Sequence, residues 1–358
     1  MRVLFKTDYN QDIRLAKHSG HIFWYGLLTV AVLLAPAVLD TYWVHELTRV
    51  LIYALAGLGL MVVTGFTGQV SLGHAAFMAI GAYAHSYMIA NGVPWLVSLP
   101  LAALLSGIIG LVIAIPASRM IGLYLAIASL AFAIVVEDVV IHWESVTGGN
   151  RGLLVEAPNL FGYEIYEAWE FYYIVLLLLI ASILVVMNVL RTPIGRAMLA
   201  VRDSEISAES LGIRVSRTKI IAFFISAMIT GLAGGLFAHF IQFLAPEVFG
   251  ILLSIQLLLM IVVGGLGTVH GAIYGAILVG FLESSISILK DVLPAAIGQQ
   301  PGLEPGLFGL ILVLFIIFEP EGVYGRWIKL RTLLENFPFY RRNTFKRQRT
   351  YLRTERMR

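Results

Sequence analysis

Stretches of about twenty apolar residues recur so densely along this chain that hydrocarbon, not water, must surround most of it. Ten such windows can be marked, near 21–39, 46–65, 74–91, 94–117, 122–142, 171–190, 219–243, 249–265, 270–289 and 303–319. Composition agrees: 59% of the 358 residues are hydrophobic and 13% charged, where soluble domains carry roughly 25% charge to solvate their surface. The expectation is an all-α integral membrane protein with about ten transmembrane helices. Two polar, glycine-rich runs interrupt the apolar pattern at 64–74 and 264–271, and they predict broken helices there. Domain organisation follows from the same pattern: an N-terminal segment 1–20, a membrane domain 21–320 and a basic tail 321–358. The first apolar run follows about twenty polar residues and lacks a small-residue cleavage site, so it is expected to stay as an anchor.

Short loops on the cytoplasmic side of membranes are enriched in Lys and Arg. With both termini inside, 22 of the 25 basic residues fall on that side, leaving Arg49, Arg151 and Lys290. The opposite side collects Asp40, Glu46, Glu144, Glu156, Glu164, Glu167, Glu170, Glu247, Asp291 and Glu304. A miscount by one helix would scatter this asymmetry. The runs 61–70 and 260–269 are identical at five of ten positions, as an internal repeat or chance in Gly- and Val-rich helices would both produce.

Chemistry is scarce. The chain has no Cys, no His-Glu-x-x-His, no nucleophile elbow and no Gly-x-x-x-x-Gly-Lys-Ser/Thr phosphate loop. The eight His residues are scattered, and His74, His85, His239 and His270 read as packed or interfacial. No catalytic residue, metal site or cofactor is expected. Glu137, Asp138 and Glu283 are ionisable within apolar windows but lie toward helix ends, which weakens an ion-driven carrier as an explanation. The basic tail, with Arg341, Arg342, Lys346, Arg347 and Arg349, is expected to lie on anionic lipid headgroups and not on nucleic acid.

Two segments stand out. In 191–218, Pro193 stops the sixth window, Asp203-Ser204 can cap a short helix, and Gly212 can end it with a left-handed residue. A helix of about two turns held under the membrane would suit docking to a cytoplasmic partner, and a solvated loop is the plainer alternative. In 64–74, Gly65, Gly68, Gln69, Ser71, Gly73 and His74 are awkward in a lipid-facing helix. They read as the lining or gate of a path, or else as a tight turn with close helix packing. Gly264, Gly265 and Gly267 read the same way.

Glu205-Ile206-Ser207-Ala208-Glu209-Ser210-Leu211-Gly212 resembles the coupling-helix motif of bacterial ABC-importer permeases, Glu-Ala-Ala followed three residues later by Gly. Its first two triplet positions depart as in the branch that serves hydrophobic amino acids. The runs 68–77 and 81–83, Thr147-Gly148-Gly149-Asn150 with its sequel to Leu153, and 264–268 resemble that branch's other motifs, in order over about 45–320. The resemblance implies an M-type branched-chain amino-acid permease in a bacterial inner membrane. It would pair with a second permease, two ATPases and a periplasmic binding protein. It further implies that Arg202, Glu205, Ser207, Ala208 and Gly212 couple to the ATPase, and that the outer loop 143–170 with Thr147, Gly148, Gly149 and Asn150 meets the binding protein. The same machinery could serve urea or short amides, and an ion-coupled secondary carrier is the more distant alternative.

Sidedness is directly measurable because no native Cys needs removal. A Cys placed at Glu156 is expected to react with impermeant thiol reagent from the outer face only, and reaction from the cytoplasm alone would overturn the topology.

Overall fold

A computed structural model describes residues 19–120, 122–160, 162–292, 303–319 and 321–336. Every apolar window coincides with a helix. In chain order these are α1 Ser19–Val38, α2 Thr41–Leu60, α3 His74–Ala90, α4 Trp95–Ala117, α5 Leu123–His142, the single turn α6 Glu144–Thr147, and α7 Ala168–Arg191. There follow α8 Pro193–Asp203, α9 Glu205–Ser210, α10 Val215–Ile241, α11 Ile251–Gly264, α12 Val269–Val292, α13 Leu303–Phe318 and α14 Gly322–Asn336. Among the described residues, seven helices are long and apolar enough to cross a membrane unaided. α3, at 17 residues, is shorter. The N-terminal segment to residue 18, Lys290 and Asp291 as side chains, and the tail beyond 336 with its arginines lie outside what is described.

α10 is the axis of the bundle. It packs against α2, α3 and α4, and these contacts are made possible by small residues. A methyl group on Gly81 of α3 would collide with the Gly231 carbonyl of α10, and one on Gly234 with the Met78 carbonyl. α2 and α10 are mostly enclosed, whereas α5 and α7 keep most of their surface outward.

The two predicted breaks are present. After Leu60 the chain continues as a π-helix over Met61–Gly65 and a last half-turn at Phe66 and Thr67, then leaves helical geometry until His74. α11 ends at Gly264 and α12 begins at Val269. At one end of the bundle these breaks meet the 191–214 segment. At the other end, Leu153–Leu154 pairs antiparallel with Phe243–Leu244 just past α10, and Asn159–Leu160 pairs with Tyr163–Glu164. The 143–170 loop is thus clipped onto the end of α10.

Three readings from sequence need correction. Pro193 does not merely stop a helix: Thr192 caps α8 by accepting from Gly195 N, and Pro193 opens that helix as its first residue, where the missing N–H costs nothing. Arg49, counted only as an outer-side charge, lies within α2 bonded to Glu46 at 2.6 Å and to Glu283 at 3.2 Å. Glu283 accordingly does not stand free toward water, since Gln256 also donates to it.

The α3–α10 contact gives a direct test. Gly81→Leu is expected to cost about 3 kcal/mol by overpacking against backbone, lowering the yield and melting midpoint of the purified chain. Gly26→Ala, with nothing within 4 Å of the added methyl, should leave both unchanged.

Candidate functional site

Non-helical backbone packed among helices needs protein partners for its buried polar groups. Between Gly65 and His74 the side chains with hydroxyls supply them. Gln69 N donates to Val63 O at 3.1 Å, and its carbonyl accepts from Thr64 Oγ1 at 3.0 Å. Thr67 Oγ1 donates to Val62 O at 2.7 Å. Leu72 N reaches Ser129 Oγ of α5 at 2.9 Å, and Ala75 N reaches Ser254 Oγ of α11 at 3.0 Å. The break is therefore built from at least three helices.

His74 is the brace of this segment. Its ring is fully buried, with Nε2 2.7 Å from Ser226 Oγ and Nδ1 2.9 Å from Ser71 Oγ. Ser226 spends its only proton on Gly59 O at 2.6 Å. It must then accept from His74 Nε2–H, which leaves Nδ1 to accept from Ser71. The chain Ser71–His74–Ser226–Gly59 is satisfied by a neutral imidazole, and it ties the break to α10 and α2. Gln69 is the opposite case: it is 4% exposed, and neither atom of its side-chain amide has a partner. Such a buried amide costs about 1–3 kcal/mol per unmet group.

The 191–214 segment sits against both breaks. Ser204 caps α9 by accepting from Ser207 N at 3.3 Å, and Gly212 follows with φ +83°, the left-handed value its position predicts. Asp203 ends α8 instead of capping α9, and it holds Arg202 at 3.0 Å. Arg202 Nη1 donates to Gly65 O at 3.5 Å. A Cβ on Gly68 would lie 3.1 Å from Arg202 Cγ, and one on Gly267 would lie 2.8 Å from Arg202 Nη1. Gly267 N in turn contacts Met61 Sδ at 3.3 Å. The structure thus brings Arg202 together with Gly65, Gly68 and Gly267, and Gly264 and Gly265 end α11 beside them. Ala208 is buried, while Ile206 and Leu211 are strongly exposed. An apolar pair facing away from the bundle on a short capped helix is a surface suited to a partner.

One residue of this site was read from sequence only as a positive charge. Lys219, in the first turns of α10, is 1% exposed; its Nζ lies 2.7 Å from Glu205 Oε1 and donates to Met120 O at 3.2 Å. The signal was present: a lysine leading directly into an apolar run is costly unless paired. The pair fixes α9 to the axis of the bundle.

Thr147, Gly148, Gly149 and Asn150 lie at the far end and join none of this. Thr147 Oγ1 donates to Val140 O at 2.6 Å and accepts from Gly149 N at 3.2 Å, so the residues form a tight turn over α5, with Asn150 exposed. Nearby, His239 of α10 bonds His85 of α3 at 2.8 Å and the indole of Trp95 at 2.9 Å. Its Nδ1 lies 2.9 Å from the Glu156 carbonyl, a second tie between the 143–170 loop and the bundle. Among the described residues, no three His, Asp or Glu side chains gather around a metal-sized space.

Residues 43–318 match the family described as "Branched-chain amino acid transport system / permease component". The high-affinity branched-chain amino acid transport system permease proteins LivM of Salmonella typhimurium and Escherichia coli are each 33% identical, over 84% of this chain and 74% of theirs. The probable permease protein LivH of Methanocaldococcus jannaschii is 27% identical over 78% of this chain and 91% of its own.

The Glu205–Lys219 pair makes an asymmetric prediction. Glu205→Ala strands a buried ammonium and is expected to cost about 3 kcal/mol, whereas Lys219→Met removes the charge and should cost less. Hydrogen exchange over 204–211 should accelerate more in Glu205→Ala, and equal acceleration in both would mean the pair is not a strut.

Proposed function

This chain belongs to the branched-chain amino acid transport permease family, and from that premise we propose that it is the pore-forming subunit of an ATP-driven importer for branched-chain amino acids. The observation that carries the mechanism is the junction of Arg202 with both glycine breaks. In the proposed assembly a second permease completes the pore, two cytoplasmic ATPases supply the energy, and a binding protein delivers solute to the 143–170 face. Both termini lie in the cytoplasm. ATP hydrolysis belongs to the ATPases, and this chain contributes no catalytic group. The names of the relatives favour branched-chain amino acids over urea or short amides.

The contacts support a division of labour. Ile206 and Leu211 present apolar surface to a groove on an ATPase, and Ser207 and Ala208 lie on the same short helix. When the ATPases close, a push on α9 passes through Glu205 to Lys219 and α10, and through Arg202 to the backbone of Gly65 and Gly267. The breaks are where the path can open, because their hydrogen bonds run to separate helices and not along one. Gln69, whose amide lacks a protein partner, lines or gates that path together with Gly65, Gly68, Ser71 and Gly73. Gly264, at the end of α11, and Gly265 and Gly267 in the break after it do so from the other side, and His74 holds the frame.

Reconstitution tests the reading. The chain with its second permease and ATPases in liposomes should take up leucine only with ATP and loaded binding protein, and uptake by the chain alone on an ion gradient would overturn it. Gly212→Val should reach normal abundance, since nothing lies within 4 Å of the new side chain, yet lose most uptake because a β-branched residue resists positive φ. Normal uptake by that variant would reduce α9 to a connector.

A further inference from the structure

Four polar side chains are buried together where α3, α4 and α10 meet beneath the 143–170 loop: His85, Trp95, Ser98 and His239. Apolar side chains would fill the same space without needing partners. The hydrogen bonds of this cluster have one possible direction. Trp95 Nε1–H can only donate, and it donates to His239 Nε2 at 2.9 Å. The Glu156 carbonyl can only accept, and it lies 2.9 Å from His239 Nδ1. Both constraints demand the same neutral tautomer, with the proton on Nδ1 and Nε2 bare. His85 Nε2, 2.8 Å from that bare nitrogen, must then donate, which leaves His85 Nδ1 to accept from Ser98 Oγ at 3.0 Å. The chain runs Ser98 to His85 to His239 to Glu156, with every donor pointing toward the loop. The loop carbonyl is its one end outside the helices.

The same stretch of loop is held again just past His239. Val155 N donates to Gln242 O at 2.9 Å. Gln242 has φ +59° and is the one non-glycine residue with a positive φ among the described residues. Such backbone costs about 1–2 kcal/mol without glycine. It ends α10 and turns Phe243–Leu244 back to pair with Leu153–Leu154. Val155 N and Glu156 O are thus both fixed by the end of α10, while the Leu154 and Glu156 side chains stand exposed. Where the loop closes, Phe171 in the first turn of α7 meets the His239 ring edge to face, with centroids 6.4 Å apart. Pro158 already belongs to the hairpin beyond, its carbonyl accepting from Ile165 N at 2.9 Å. Glu156 lies between that hairpin and the clip on α10, so the His239 bond sets how one follows from the other.

We propose that His239 is a positioning residue for solute delivery, its Nδ1–H setting the pose in which the strap 153–156 meets the binding protein. The inference rests on the importer reading and deepens it, by naming the contact that presents the outer face. His85, Trp95 and Ser98 serve it by holding His239 in the donating tautomer.

The test uses the assembled transporter in liposomes, with leucine uptake measured against the concentration of leucine-loaded binding protein. No dependence on binding protein in the unmodified transporter would overturn the importer reading itself. Given that dependence, two variants separate the ring's nitrogens. His239→Gln puts an amide oxygen near the place of Nε2, keeping an acceptor for Trp95 and His85 but losing the bond to Glu156. His239→Asn puts an amide N–H near the place of Nδ1, keeping the Glu156 bond but leaving Trp95 and His85 without an acceptor. The half-maximal concentration of binding protein is expected to rise about fivefold in His239→Gln, the scale of one neutral hydrogen bond, and little in His239→Asn. Melting midpoints should fall in the opposite order, because His239→Asn strands two buried donors. If His239 were merely structural, uptake would follow stability and His239→Asn would be the worse variant. That order, or an unchanged half-maximal concentration in His239→Gln, overturns the proposal. Where a variant does not assemble with its partners, hydrogen exchange of the purified chain decides. Exchange over 155–160 should accelerate in His239→Gln and not in His239→Asn, and equal rates in the two would refute the assignment.

Discussion

A backbone amide buried away from water needs a protein partner, so a broken helix packed inside a helical bundle is stable only where neighbouring helices supply one. Most of this structure can be understood as the answer to that requirement at Gly65–Gly73. Ser129, Ser254, Thr64 and the chain Ser71–His74–Ser226–Gly59 satisfy the break from α5, α11, α2 and α10. These helices can gather so closely because α3 and α10 meet at glycines that leave no room for a methyl group. Remove the close approach, and the hydroxyls no longer reach the backbone they serve.

The same constraint explains why the break is a place where force can act. A continuous helix resists bending through bonds along its own axis. The interrupted segment is instead held by single bonds to several neighbours, each costing only about 1 kcal/mol net to exchange. Arg202 lies where the two breaks come together, with its guanidinium against Gly65 and Gly267. The Glu205–Lys219 pair, with its ammonium buried, provides a second route from α9 to α10. Removing one partner of a pair whose ammonium is buried is expensive, so this contact carries load to α10 while the Arg202 contacts carry it to the breaks.

Much of this was legible in the sequence because membranes impose coarse rules. Apolar length marked the helices, and glycine runs among apolar residues marked the breaks. The Ser204 and Gly212 caps follow from local backbone chemistry, which needs no tertiary knowledge. The rest depended on contacts between residues far apart in the chain. That Lys219 is a buried strut depends on Glu205 folding back over it, and that Arg49 sits inside the bundle depends on Glu46 and Glu283 meeting it there. α8 was missed because Pro193 signals an ending and a beginning equally well. The unpartnered Gln69 side chain was invisible for a related reason: satisfaction is a property of neighbours, not of a motif.

For a push on α9 to open the path, the segment bearing α9 must move as one body with the glycine breaks. Spin labels on cysteines at Ile206, Leu266 and Val139, all exposed, test it directly in the assembled, Cys-free chain. Between nucleotide-free and ATP-trapped states, the 206–266 distance should stay constant while the 266–139 distance changes. A 206–266 distance that changes while 266–139 stays fixed would show α9 moving without the breaks, and would contradict the account.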